Sequence, residues 1–95
     1  MNLKTFKRHC EQYANHEGED DNVRNAYREI LQHIEIHRIQ DRDGLILDLA
    51  HLAEAYLQRA ARVRQVAPIS MVADTLETKA RVYKEAIQQL GGIRL

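Results

Sequence analysis

His33 and His37, in the segment HIEIH, stand four residues apart. On a helix both rings face the same way, and two imidazole nitrogens so placed could share one metal ion. Two ligands do not complete a site, however. A third would have to come from His51 or from the acidic residues near Gly18, and no spacing requires either. The pair therefore reads as two histidines at a helix end, with no metal and no cofactor. The segment HEGEDD, residues 16–21, has carboxylates in number but lacks the length and ligand alternation of a calcium loop. It reads as a solvated, helix-capping stretch.

For nucleophilic catalysis the chain offers one cysteine, Cys10, with His9 beside it, and one serine, Ser70. Adjacent residues on a helix point in different directions, so His9 cannot act as a base toward Cys10. No nucleophile elbow or phosphate-binding glycine loop is present. The expectation is a protein without enzymatic activity, with Cys10 as a buried thiol in a reducing compartment.

The remaining chemistry is positive charge. Formal net charge is zero, with 14 basic and 14 acidic residues, so any anion-binding surface must come from local segregation. Arg59, Arg62 and Arg64 cluster before Pro68, and Lys79 could join them from the helix that follows; Lys4, Lys7 and Arg8 make a second group. Both are candidate contacts to DNA phosphates. The competing reading is that these side chains solvate a helix or pair with acids on a neighbouring subunit.

The elements that position these groups follow from apolar spacing. The chain has 95 residues, 44% of them hydrophobic and 29% charged, with one proline and no tryptophan. That suits one small helical domain spanning 1–95. Leu3, Phe6, Cys10 and Tyr13 recur every three or four residues, predicting a helix that ends near Asn15. A second helix is predicted from about Asp21 to Arg38, opened by the acidic residues after Gly18 and burying Val23, Ala26, Tyr27, Ile30, Leu31 and Ile34. Residues 41–92 form the rest, starting with a long helix capped by Asp41 or Asp43 and running to about Val66.

That long helix carries two apolar stripes. Leu45, Leu49, Leu52, Tyr56, Ala60 and Val63 form one; Ile46, Ala50, Ala53, Leu57 and Ala61 form the other, about 100° round the helix. Two shorter helices cannot cover both, so the second stripe is assigned to contacts between subunits. After Pro68 a final stripe runs through Ile69, Val72, Ala73, Leu76, Ala80, Tyr83, Ile87 and Leu90 to a stop at Gly91-Gly92. Its continuity favours a helix starting at Pro68 or Ile69, although Asp74 to Glu77 also resembles a capping box that would start it later. The last two helices should fold back on each other as an antiparallel hairpin. Nothing alternates with period two, so no sheet is predicted and the fold class is all-α. No apolar run reaches membrane-spanning length, and MNLKTFKRHCEQ lacks a signal-peptide core, which points to the cytoplasm.

From residue 23 onward the order of features resembles the small terminase subunits of tailed bacteriophages. The carriers are AYREILQHI, then RIQDRDGLILDLAHLAEAY with an acidic residue opening a long helix, then the proline-started APISMVADTLETKARVYKEAIQQLGG ending in Leu-Gly. Asp43, Ala53, Pro68, Leu90 and Gly91 are the aligned positions. The resemblance implies a non-enzymatic DNA-packaging factor that assembles into a ring-like homo-oligomer, binds double-stranded DNA and recruits a large subunit carrying ATPase and nuclease, in the cytoplasm of an infected host. The alternative is a small helical interaction or regulatory module, of a phage or a bacterium, that never touches DNA.

Overall fold

A computed structural model describes residues 1–91. Four helices follow in order: α1 (Leu3–Ala14), α2 (Asp21–Ile36), α3 (Arg42–Val66) and α4 (Met71–Gln89). Among the described residues there is no strand, and the all-α class is as predicted. Gly92, half of the predicted stop, lies outside the described residues; Gly91 takes φ +87°, the left-handed conformation that glycine adopts at little cost beyond a helix end.

Each helix begins on a side-chain cap. Asn2 Oδ1 accepts from the Thr5 amide at 2.8 Å, and Asp20 Oδ1 accepts from the Asn22 amide at 2.8 Å. Asp41, rather than Asp43, opens α3, accepting from the amides of Asp43 at 3.3 Å and Gly44 at 3.2 Å. These side-chain oxygens satisfy amides that lack intrahelical partners, and the carboxylates of Asp20 and Asp41 also sit favourably at the positive end of the helix dipole.

The helix ends correct two predicted boundaries. α2 stops at Ile36 instead of Arg38. Arg38 adopts φ 51°, its amide donates to the Glu35 carbonyl, and the Ile39 amide reaches back to the Ile34 carbonyl at 3.0 Å. This is a Schellman closure built on arginine where glycine is usual. At the other boundary, α4 starts neither at Pro68 or Ile69 nor at the Asp74 capping box. Pro68 drives Ala67 into extended backbone, φ −134°, which ends α3. Ser70 then caps α4, its Oγ accepting from the Ala73 amide at 3.3 Å.

The core forms where the apolar faces meet. Phe6, Cys10 and Ala14 of α1 join Ala26, Tyr27, Ile30 and Ile34 of α2, with Leu45, Leu49 and Ala53 of α3 and Ala80, Val82, Tyr83, Ala86, Ile87 and Leu90 at the end of the chain. Tyr13 stacks on Tyr27 at 4.8 Å between ring centres. A smaller cluster of Ala60, Ala73 and Leu76 sits near the α3–α4 turn. Arg64 meets Glu77, Tyr56 meets Tyr83, and Arg42 lies near Gly91. The contacts descend α3 as they ascend α4, so the two helices pack in opposite chain directions.

Candidate functional site

The basic residues divide sharply by what they touch. Arg64 is fully engaged inside the chain: Nη1 donates to the Pro68 carbonyl at 2.7 Å, Nη2 to Asp74 Oδ1 at 2.6 Å, and Nε to Glu77 Oε2 at 3.1 Å. These charge-assisted bonds raise the Arg64 pKa, and the Glu77 carboxyl is held below its usual value, chiefly by its hydrogen bond to Arg64. Lys79 is likewise occupied. Its Nζ lies 2.8 Å from Glu29 Oε1 on α2 and 5.6 Å from the Tyr56 ring centre. Both residues therefore serve as internal braces, and the geometry takes them out of the candidate DNA-facing set.

Arg59 and Arg62 are exposed on α3. Arg59 lies 6.0 Å from the Tyr56 ring centre, and among the described residues neither has an acidic partner. Lys4, Lys7 and Arg8 are exposed on α1. The fold does not merge the two groups. Lys7 lines a groove with Ile34 and Glu35 at the end of α2, which is tied to the start of α3 where His33 Nε2 lies 3.0 Å from Asp48 Oδ2. Roughly 16 Å of helix separates Asp48 from Arg59.

The stripe assigned to subunit contacts is largely taken up at home. Ala53 is 1% exposed within the chain's own core, and Ile46, Ala50 and Leu57 are half-buried against it. Ala61 is exposed. Much of the accessible apolar surface lies elsewhere: Val66 is 89% exposed, Ile69 98%, Met71 85% and Val72 61%, all at the α3–α4 turn, with Ile36 and Leu47 exposed at the other end of α3. Periodicity places Ile69 and Val72 on the inner stripe of α4, and the structure corrects this. With Ser70 as the cap, Ile69 lies outside the helix and Val72 faces outward in its first turn. Sequence reasoning missed this patch; the signal available was Ser70 two residues after the proline, the strongest capping residue in the segment.

The other candidates have structural roles. His33 and His37 rings lie 4.5 Å apart, and among the described residues no group of three histidine, cysteine, aspartate or glutamate side chains could hold a metal. In HEGEDD, Asp20 caps α2, Asp21 pairs with Arg24, and His16 Nδ1 accepts from the Gly18 amide at 3.2 Å. Cys10 is fully buried, and its thiol is pushed up to about 12, first by burial and then by Glu11. A thiol kept protonated in this way is a poor nucleophile at neutral pH. No helix among the described residues is long and apolar enough to cross a membrane.

The chain matches no protein-family model, no curated protein and no solved structure.

Proposed function

We propose that the protein is a non-enzymatic, self-associating DNA-packaging factor of the small-terminase kind, which grips double-stranded DNA weakly through each subunit and delivers it to a large ATPase and nuclease subunit in the host cytoplasm. The observation that carries the reading is the α3–α4 turn, where exposed Val66, Ile69, Met71 and Val72 follow Arg59 and Arg62, exposed arginines that have no acidic partner among the described residues. Exposed apolar side chains grouped in this way mark a contact surface. Two arginines beside them add little DNA affinity in one subunit, but the contribution multiplies when subunits assemble. The sequence resemblance from residue 23 onward supplies the biological direction.

The test measures two quantities. Sedimentation should give a defined mass of several subunits. Retention on double-stranded DNA should fall with added salt, and the Arg59→Ala/Arg62→Ala variant should flatten the salt slope by about 0.9 per lost phosphate contact. Arg64 is unsuitable for this purpose, because its loss would disturb the turn.

A second reading, a helical interaction module that never touches DNA, is favoured by the internal engagement of Arg64 and Lys79. No DNA retention at about 50 mM salt, together with the same defined mass, would select it.

A further inference from the structure

The two ends of α3 carry exposed apolar groups of different kinds. At the turn stand Val66, Ile69, Met71 and Val72; at the opposite end, Leu47 is 62% exposed and Ile36, at the close of α2, is 73% exposed. Leu47 and Val66 lie roughly 28 Å apart along the helix, in a molecule whose longest dimension is 41 Å.

The charges around the two ends are opposite. Beside the turn are Arg59, Arg62 and Arg64 against Asp74 and Glu77, and both of those acids are already bound to Arg64. Around Ile36 and Leu47 are Glu11, Glu35, Asp41, Asp43 and Asp48 against Lys7, Arg38 and Arg42; Arg42 lies 3.6 Å from Asp43 and His33 lies against Asp48. Both ends are held in shape before any contact forms. Arg64 and the Ser70 cap fix the turn, while the Schellman closure at Arg38 and the His33 to Asp48 contact fix the other end.

We infer that the basic apolar turn of one copy docks on the acidic apolar end of a second copy, at Ile36 and Leu47. This rests on the self-assembly proposed above and assigns it a surface other than the Ile46 to Ala61 stripe. The two ends differ, so the contact is head-to-tail, and repetition produces a ring or an open chain. A turn-on-turn contact would instead bring Arg62 of both copies together, opposing like charges across the apolar patch.

The experiment uses the full chain and two variants altered only at exposed positions, with circular dichroism confirming that each stays helical. One is Ile69→Gln/Met71→Gln at the turn; the other is Ile36→Gln/Leu47→Gln at the opposite end. At about 100 µM, the unaltered chain should sediment as a species larger than a dimer and each variant alone as a monomer. An equimolar mixture of the two variants should form a species of two chains and nothing larger, because one intact turn and one intact acidic end remain. If the unaltered chain assembles but the Ile36→Gln/Leu47→Gln variant keeps its full mass, this contact is wrong and self-assembly stands. An unaltered chain that stays monomeric overturns both.

Discussion

Arg64 of α3 and Glu77 of α4 form a two-point pair across the α3–α4 turn, with Arg64 Nε 3.1 Å from Glu77 Oε2 and Nη2 bonded to Oε1. The same guanidinium also holds the Pro68 carbonyl and Asp74. One planar fork thus joins the end of α3, the turn and the first two turns of α4, a geometry that lysine could not reproduce.

This pair gives the turn a pH dependence. The Glu77 carboxyl is held below its usual value, so its contribution to stability is present above the unfolded carboxyl pKa of about 4.3 and is lost as pH falls through the lower folded value. At pH 7, Glu77→Gln should melt below the unaltered chain. The gap should close as pH drops below about 4, measured by thermal melts from pH 7 to pH 2.5. A gap that stays constant across that range would assign the pair no electrostatic role.

Leu47 and Leu49 lie two positions apart on α3 yet on different sides of the burial boundary, 62% and 0% exposed. Removing the Leu49 side chain leaves a cavity in the core, so Leu49→Ala should cost about 2–5 kcal/mol in urea unfolding. Leu47→Ala should stay within about 0.5 kcal/mol at protein concentrations where the chain is monomeric. Equal costs would mean that α3 is rotated from the face described.

The helical spacing of Phe6 and Cys10, of Tyr27, Ile30 and Ile34, and of Leu45 and Leu49 was legible because each stripe faces one core. The same logic failed at Ile69 and Val72. They fit the period of α4, but Ile69 precedes the Ser70 cap and Val72 turns outward in the first turn while Ala73 beside it is buried, and periodicity does not record where a helix starts. The arginines failed for a different reason. Arg59, Arg62 and Arg64 are alike in sequence, and only the return of α4 places Asp74 and Glu77 beside one of them. Lys79 found Glu29 through the packing of α2 on α4, a long-range contact with no local signature.

Cys10 is shut in by α1 and its neighbours, and burial pushes its thiol up to about 12 from about 8.5 in an unfolded chain. At pH 8, modification by a disulfide reagent should therefore track unfolding and accelerate with urea in step with the loss of helix. Because the folded value is raised, the associated stability is complete below the unfolded pKa and drains as pH rises toward the folded one. Cys10→Ala should weaken the fall in stability between pH 8.5 and 12, with the remainder left to Tyr27, whose hydroxyl is also pushed up to about 12, mainly by burial, and to Tyr83, which burial raises further.

Arg38 occupies left-handed backbone at the end of α2, where a side chain costs roughly 1–2 kcal/mol relative to glycine. Glycine loses more freedom on folding, which offsets part of that gain. Arg38→Gly should still stabilise the chain by about 0.5–1 kcal/mol in urea unfolding. A destabilised variant would mean that the Arg38 side chain makes a compensating contact.

Ser70 and Pro68 separate two accounts of how α4 begins. If the proline started the helix, it would supply the first residue with φ already fixed, and replacing it would weaken the helix. With Ser70 as the cap, the Oγ bond to the Ala73 amide satisfies a donor that otherwise lacks a partner. Ser70→Ala should then cost about 0.5–2 kcal/mol. Pro68→Ala should cost less, since Pro68 lies outside both helices and acts by forcing Ala67 into extended backbone; its loss mainly frees the unfolded chain. Urea unfolding of the two variants distinguishes the accounts. A larger cost at Pro68 than at Ser70 would move the start of α4 back to the proline and return Ile69 to its inner face.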